Sequence, residues 1–293
     1  MEITSASYQN KRKLQFVLGL TLTYLIAEII GGILTKSLAL LADAGHMFTD
    51  VGGLALALFA IKVASRPSSP QKTYGYYRAE ILASLANAVV LIGISIYILY
   101  EAYKRFTSPP EVQSQAMLIV AAIGLVINIV GMMILRKSTG ESLNMKGAYF
   151  EVLSDMLTSI GVMIAGIVML TTGWYYADPL ISAAIGLLIL PRTWRLLMEA
   201  VNVLLEGTPK DVNIADLQKA MEQVSGVKEI HDMHVWSLTS GVNAVSAHVR
   251  VGYSKDYNVL LKALTDKVTT DFKISHTTFQ IETDGYTEQE NNL

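Results

Sequence analysis

Long apolar runs alternate with short polar connections over the first two-thirds of the chain. A membrane-spanning helix needs about 20 consecutive, mostly apolar residues, and six segments meet this requirement. Because the connections between them are short, a compact helical bundle is favoured. The sequence therefore predicts six transmembrane helices, at Leu14–Leu34, Leu38–Ile61, Ile81–Tyr103, Ala116–Leu135, Ala148–Leu170 and Ala177–Leu197.

The basic residues on the connections predict the orientation of these helices. Cytoplasmic loops of membrane proteins carry an excess of Lys and Arg. Basic residues precede the first span, separate the second from the third and the fourth from the fifth, and close the sixth. The opposite side has only Lys36, Lys104 and Arg105. We therefore expect a multi-pass protein of the cell membrane with both termini in the cytoplasm.

From Glu206 onward the pattern becomes that of a soluble domain. Helical periodicity and strand-like alternation follow one another in the order α-β-β-α-β, which suits a small α+β domain. The turn between the first two strands is expected at Thr239-Ser240-Gly241. The expected elements are Asn213–Val224, Val227–Leu238, Val242–Val251, Tyr257–Thr270 and His276–Glu282. The expected domains are a transmembrane domain over 1–206, a cytoplasmic domain over 207–285 and a disordered tail over 286–293.

Composition narrows the chemistry that these elements can support. The chain is 52% hydrophobic and 16% charged, whereas soluble domains carry about 25% charged residues. A formal net charge of −2 gives no indication of nucleic-acid binding. Because the chain contains no cysteine, thiolate sites are excluded, and any metal must be held by His, carboxylate or backbone oxygen.

Two pairs of polar residues lie where a membrane helix should be apolar. His46 and Asp50 occur in the second span, and Glu151 and Asp155 occur in the fifth. Ionisable residues inside a span are costly and are functional candidates by default. Residues four apart share one helix face, so each helix offers two ligands to one point between antiparallel spans. Four nitrogen and oxygen ligands match the number that a tetrahedral Zn²⁺ site uses.

Other polar residues of the spans are given less specific roles. Asp43 lies about one turn outward of His46, where it is expected to line the route of the ion. Asn128 is expected to form an interhelical hydrogen bond. Capping or interfacial roles suffice for the acidic residues nearer the span ends, which are Glu28, Glu80, Glu101 and Asp178.

The surroundings of the two polar pairs resemble each other weakly. Gly45–Asp50 in the second span and Phe150–Asp155 in the fifth both end on the aspartate of a polar pair. This similarity predicts that spans one to three and four to six are inverted repeats with the substrate site at their interface, as in many secondary transporters.

Several motifs together resemble the cation diffusion facilitator family of metal/proton antiporters, which includes bacterial zinc, cadmium and cobalt exporters. The resemblance covers nearly the whole chain. The matching stretches are Leu41–Asp50, Thr73–Leu82, Gly147–Tyr149 with Asp155, Glu206–Pro209 and His231–Trp236. The resemblance implies a homodimer whose ferredoxin-like cytoplasmic domains meet and bind structural Zn²⁺. By the same resemblance, the cytoplasmic ligands would be His231, His248, Glu282 and Asp284, whereas His234 and His276 remain structural.

The sequence departs from the family pattern at one residue of the membrane site. Zinc-transporting members usually have His-x-x-x-Asp in the fifth span as well, whereas this chain has Glu151 at the first position. A site with one nitrogen ligand and three carboxylates has harder ligands than a site with two histidines. The expected substrates are therefore Zn²⁺ and also Cd²⁺, Co²⁺, Mn²⁺ or Fe²⁺.

These observations favour a secondary transporter and not an enzyme. Metal binding requires neutral His46 and ionised carboxylates, so protons leave as the metal enters. We therefore expect export of divalent cations in exchange for protons. Three alternatives remain: a passive metal channel, a metal-sensing membrane protein, and an intramembrane metallohydrolase. The last of these would need a general base, and the chain lacks the H-E-x-x-H motif that usually supplies one.

Overall fold

The computed structural model describes residues 11–64, 66–136, 143–252 and 256–283. The expected ligand Asp284 and the expected tail over 286–293 lie outside these ranges. The chain divides into two compact units. The first consists of the residues up to Leu56 together with Ala86–Leu196, and the second consists of Ala57–Leu85 and the residues from Leu197 onward.

Six long helices precede the C-terminal domain, and each predicted span lies inside one of them. The helices extend past the predicted spans at one end or both, because the polar residues at their ends continue the helical hydrogen bonds beyond the apolar segment. Their bounds are α1, Lys11–Thr35; α2, Leu38–Ala64; α3, Arg78–Thr107; α4, Ser114–Arg136; α5, Leu143–Thr172; and α6, Ala177–Leu204.

Five of these helices are long and apolar enough to cross a membrane, as judged over the residues that the structure describes. They are α1, α3, α4, α5 and α6. Helix α2 is 27 residues long but is not among the five, so the prediction of six spans is confirmed for five helices. Large apolar side chains such as Ile26, Ile30 and Ile33 are more than half exposed, as expected of a surface that lipid covers.

The start of α2 is held by a carboxylate from another helix. Helix α1 ends at a turn in which Lys36 has a positive φ of 60°, and α2 begins two residues later. Asp178 of α6 accepts hydrogen bonds from the Leu38 and Ala39 amides at 2.9 and 3.1 Å and from the Ser37 hydroxyl at 2.7 Å. Asp178 thereby satisfies amide groups that a helix N-terminus otherwise leaves unpaired.

Helices α2 and α5 run antiparallel, as predicted. The start of α2, at Leu38 to Ala42, shares a buried apolar cluster with Val162, Ala165 and Met169 near the end of α5. Farther along α2, Asp43 accepts a hydrogen bond from Thr158 of α5 at 2.7 Å. Successive residues of α2 therefore meet earlier residues of α5. This arrangement brings the polar pairs of the two helices to similar depths.

The C-terminal domain has the predicted order α-β-β-α-β. Asn213 and Asp256 are the N-caps of its two helices, since each side-chain oxygen accepts a hydrogen bond from a backbone amide of the first turn. A single apolar cluster that includes Leu217, Val249 and Leu264 joins helices to strands. The elements are α7, Ile214–Glu222; β1, Val227–Thr239; β2, Val242–Val251; α8, Tyr257–Phe272; and β3, His276–Glu282.

The three strands form one sheet in the order β1-β2-β3. Strands β1 and β2 are antiparallel and pair Thr239 with Val242 across a tight turn, where Gly241 has a φ of 75°. Strand β3 pairs with β2 in parallel, after the crossover through α8. The register of β1 shifts between His231 and His234, and Asp232 within this bulge has a φ of 45°.

The segment between α2 and α3 contacts the C-terminal domain within the second unit. Tyr74 meets His276 edge to face, with ring centroids 5.4 Å apart. Glu80 at the start of α3 accepts a hydrogen bond from the Thr239 hydroxyl at 2.7 Å. His276, which was expected to be structural, therefore serves packing in this part of the chain.

Candidate metal centres

Three of the four expected membrane ligands come together. His46 and Asp50 of α2 and Asp155 of α5 each offer a ligand atom, and these atoms lie within 4.8 Å of one another. His46 is 8% and Asp155 is 4% exposed. His46 Nδ1 and Asp155 Oδ1 are buried and have no hydrogen-bond partner among the described residues. Because unpaired polar atoms are costly to bury, this cluster has the ligands and the vacant acceptor atoms that a cation needs.

The structure does not bring Glu151 into this group of three. Its side chain is exposed, one helical turn before Asp155 on α5. Its carboxylate still lies close enough to Asp50 and His46 for their charges to act on it. Glu151 therefore lies beside the three clustered residues. A direct bond from Glu151 to the ion remains a prediction.

Arg192 of α6 lies near this site, a position that was not predicted from the sequence. Its positive charge acts on His46, Asp50, Glu151 and Asp155. On the sequence, Arg192 indicates only the orientation of the spans. Acidic side chains therefore outnumber the one guanidinium near the cluster, which favours a bound cation.

The prediction for Glu28 was wrong. An interfacial or capping role was expected, but Glu28 is fully buried and accepts a hydrogen bond from Tyr24 at 2.8 Å. Asp43, which was expected to line the ion's route, is also fully buried. Span boundaries on the sequence locate a residue along the helix but do not show which face turns inward.

The remaining polar residues of the spans agree better with expectation. Asn128 donates a hydrogen bond to Ser159 of α5 at 3.3 Å, which confirms the predicted interhelical contact. Glu101 lies 3.2 Å from Arg105 one turn later on α3. Asp178 does act as a cap, but for α2 instead of for its own helix.

A second cluster lies on the sheet of the C-terminal domain. The ligand atoms of His231, His248 and Glu282 lie within 4.8 Å of one another. His231 and His248 face each other on paired positions of β1 and β2, with ring centroids 5.3 Å apart. Glu282 at the end of β3 contacts both imidazoles, at 2.9 Å to His231 Nε2 and 3.0 Å to His248 Nδ1.

The environment of Glu282 favours its ionised form. Burial by itself raises the pKa of this carboxyl. The hydrogen bonds from His231 and Gln280 and the positive charge that both imidazoles can carry outweigh that effect, so the pKa lies below its ordinary value. An ionised carboxylate between two imidazoles offers one oxygen and two nitrogen ligands, a set that suits Zn²⁺.

Asp232 adds a second carboxylate at the edge of this cluster. Its oxygens lie 2.9 Å from His234 Nε2 and 3.6 Å from His248 Nε2. The bulge of β1 gives Asp232 its left-handed backbone, and bulges commonly redirect side chains next to functional sites. Sequence analysis passed over Asp232, although its place between His231 and His234 was a usable signal.

Comparison with known proteins identifies the family. Residues 14–205 match the cation efflux transmembrane domain, and residues 209–284 match the cytoplasmic domain of cation efflux proteins. The chain therefore belongs to the cation efflux family, the cation diffusion facilitators. Together with its apolar helices, this family membership makes it a multi-pass membrane transporter. It also indicates a transporter in preference to an enzyme.

Three relatives illustrate the similarity. The metal cation efflux system protein CzcD of Cupriavidus metallidurans is 48% identical over 93% of this chain and 87% of its own length. A cadmium, cobalt and zinc/H(+)-K(+) antiporter of Bacillus velezensis is 43% identical over 95% of this chain and 90% of its own length. The zinc transporter ZitB of Shigella flexneri is 38% identical over 93% of this chain and 88% of its own length.

Proposed function

We propose that this chain exports divalent metal cations from the cytoplasm in exchange for protons. The observation that carries the proposal is the cluster of His46, Asp50 and Asp155, whose ligand atoms lie within 4.8 Å of one another on two antiparallel helices. Intramembrane ionisable residues mark ion pathways. The names of the relatives point to the same activity.

The proposed substrates are Zn²⁺, Cd²⁺ and Co²⁺. The named substrates of the relatives support this choice, since they are zinc in one case and cadmium, cobalt and zinc in another. Imidazole suits zinc, whereas carboxylates suit harder ions. With Glu151 beside the cluster in place of a second histidine, we propose that Mn²⁺ and Fe²⁺ are also accepted.

Protons and metal compete for the same atoms at this site. The metal binds only neutral imidazole and ionised carboxylates, so binding releases protons and protonation releases metal. A site that opens to the cytoplasm loses protons and takes up metal. After it opens to the other side, protons return and displace the metal. Each proton that moves inward down the membrane potential supplies about 2.3 kcal/mol per 100 mV.

We propose that α2 is the sixth span and that both termini are cytoplasmic in the cell membrane. At about 1.5 Å per residue, its 27 residues form a helix long enough to cross a hydrocarbon core of about 30 Å. Its buried Asp43 and His46 require protein neighbours and not lipid. The inverted repeat of spans one to three and four to six remains part of this proposal.

The C-terminal domain is proposed to be a ferredoxin-like, homodimeric metal-binding module. Its order α-β-β-α-β is that of the ferredoxin-like β-α-β-β-α-β pattern without the first strand. His231, His248 and Glu282 are the proposed ligands of a structural Zn²⁺, and Asp232 lies within reach of the same group. The proposed domain bounds are 1–206 and 207–285, followed by the tail over 286–293.

Transport by the purified protein in proteoliposomes tests this function. Uptake of Zn²⁺, Cd²⁺, Co²⁺, Mn²⁺ and Fe²⁺ should be saturable. It should increase when the lumen is made more acidic than the outside, so that protons flow out as metal enters. The three metals named for the relatives should move fastest. Uptake that rises linearly with metal concentration and ignores the proton gradient would indicate a passive channel instead.

Glu151→His is expected to raise the ratio of zinc to manganese transport several-fold. Imidazole favours zinc over manganese, whereas carboxylate favours harder ions. The ratio would be measured by competing the two metals in the same vesicles. Phe150→His is the matched control. It places a histidine on the same helix turn but about 100° around the helix from residue 151, in place of an exposed apolar side chain. If both variants left the ratio unchanged, Glu151 would not bind the metal.

Zinc is expected to strengthen self-association of the C-terminal domain. A fragment that begins at Pro209 contains every residue of the apolar cluster of this domain and should dimerise more tightly when zinc is added. Sedimentation at several concentrations measures this shift. His231→Ala should abolish the zinc effect, whereas His276→Ala, outside the cluster, should keep it. A fragment that stays monomeric at high concentration with zinc present would contradict the proposal.

A further inference from the structure

A pair of buried carboxyl groups lies outside the metal cluster. Glu28 of α1 and Asp43 of α2 are both fully buried, as is Tyr24 apart from 1% of its surface. One oxygen of each carboxyl has a donor: the Tyr24 hydroxyl donates to Glu28 Oε1 at 2.8 Å, and Thr158 donates to Asp43 Oδ1 at 2.7 Å. Each carboxyl group of the pair thus receives one hydrogen bond from a hydroxyl group.

The second oxygen atom of each carboxyl group is left without a hydrogen-bond donor. Glu28 Oε2 and Asp43 Oδ2 are buried and have no hydrogen-bond partner among the residues that the structure describes. The two carboxyl groups are nevertheless close enough for the charge of Asp43 to act on Glu28. Two carboxylates are both acceptors, so a hydrogen bond can join them only if one carries a proton.

Among the residues that the structure describes, no Lys or Arg is found to act on the charge of either carboxyl group of the pair. The titratable groups around Glu28 are Tyr24 on its own helix, Asp43 on α2 and Asp155 on α5, and the charge of His46 also acts on Asp43. Two adjacent carboxylates that are both ionised in a buried site would repel each other, whereas one shared proton removes the repulsion. The surroundings therefore favour the singly protonated pair.

Packing fixes the geometry of the pair. The Tyr24 ring lies directly over Gly124 of α4, where a Cβ would occupy the place of the ring. The hydroxyl of Tyr24 is thereby held against Glu28. On the other side, the Thr158 hydroxyl lies 2.7 Å from Asp43 Oδ1 and 2.9 Å from the carbonyl oxygen of Asp155. Thr158 therefore links the pair directly to the helix turn of an expected metal ligand.

We propose that Glu28 and Asp43 share one proton in the metal-free protein and release it when a divalent cation fills the cluster of His46, Asp50 and Asp155. Asp43 lies three residues before His46 and so shares its helix face. A divalent charge one turn away favours the ionised form of the pair. This inference rests on the proposed proton-coupled transport and adds a proton that no metal ligand carries.

The hydrogen bond that the Thr158 hydroxyl donates can switch when the pair gains or loses its proton. It has a single hydrogen and can donate to only one acceptor at a time. When Asp43 carries the shared proton, Thr158 can donate to the Asp155 carbonyl. When the pair is ionised, Thr158 donates to Asp43. The protonation of the pair and the position of the Asp155 turn are thereby linked.

Infrared difference spectroscopy of the purified full chain tests the proposal. The metal-free protein should show the C=O band of a protonated carboxylic acid, and this band should disappear on addition of zinc. Glu28→Gln should lose the band, and calorimetry in buffers of different ionisation heats should find about one fewer proton released per metal bound. Glu101→Gln, which removes a glutamate that is paired with Arg105, should change neither quantity.

A second variant tests the assignment without removing the carboxyl. Tyr24→Phe deletes the donor to Glu28, so the acid band should remain but shift in frequency. An unchanged band in both Glu28→Gln and Tyr24→Phe would overturn the proposal. So would a band that disappears when potassium or sodium is added without zinc, because the pair would then bind an alkali cation. The metal-free spectra decide the protonation of the pair even if zinc binding itself were to fail.

Discussion

Asp155→Asn is expected to reduce metal transport by more than a hundredfold while the protein still folds. Asp155 is 4% exposed and contributes one of the three clustered ligand atoms. Asparagine keeps the size of the side chain but removes the charge that attracts the cation and the group that exchanges protons. Loss of a buried charged partner costs about 3 kcal/mol or more, and every 1.4 kcal/mol is about tenfold in affinity.

Asp50→Asn is expected to have a similar effect. Asp50 lies 3.4 Å from His46 Nε2, so it provides charge to the ion and orients the imidazole. Zinc uptake into proteoliposomes measures both variants. Glu111→Gln is a suitable control because it removes one negative charge from an exposed residue on the connection between α3 and α4. Uptake near the wild-type rate in either aspartate variant would mean that the cluster is not the transport site.

The second large effect is expected from Asp178→Ala, on stability. This carboxylate accepts three hydrogen bonds at the start of α2 and lies 3.3 Å from Arg105. Its removal leaves a helix N-terminus uncapped and a partly buried guanidinium short of one partner. Breaking a buried ion pair in this way costs about 3–5 kcal/mol. Because α2 holds His46 and Asp50, we expect the metal site to loosen as well.

Thermal unfolding in detergent measures the effect of Asp178→Ala. Glu101→Ala is the matched control, because it removes the other carboxylate that contacts Arg105 but leaves the α2 cap in place. The unfolding temperature of Asp178→Asn should lie between those of the two alanine variants, because asparagine keeps a hydrogen-bond acceptor and loses the charge. If Asp178→Ala unfolded at the same temperature as Glu101→Ala, the cap would contribute little to the stability of α2.

The helices and the central ligands were accessible from sequence because their signals are local. A long apolar run determines a membrane helix by itself, and a separation of four residues places His46 beside Asp50 on one face. The antiparallel direction of α2 and α5 followed from counting spans. These three facts were sufficient to bring Asp155 to the same place. The sequence patterns that predict the strands of the C-terminal domain are also local. The predicted bounds of these strands differ by at most one residue from those observed.

The residues that sequence analysis misjudged depend on contacts between distant elements. The burial of Glu28 depends on how α1 is rotated against α2, and the role of Asp178 depends on which helix start lies next to it. No periodicity within one helix encodes either fact. The bulge at Asp232 is an irregularity in the pairing of β1 with β2. The parallel pairing of β3 with β2 depends on the crossover through α8. Glu151 lies beside the cluster, one helix turn before Asp155 on α5.

The most direct test of the account is the counterflow of protons during zinc transport. Proteoliposomes that contain a trapped pH indicator would receive zinc on one side, with no other ion gradient. If zinc is exchanged for protons, zinc uptake should remove protons from the lumen, an imposed outward proton gradient should drive zinc against its own gradient, and Asp155→Asn should abolish both effects. Zinc that moves only down its gradient, with no change in luminal pH, would contradict the account.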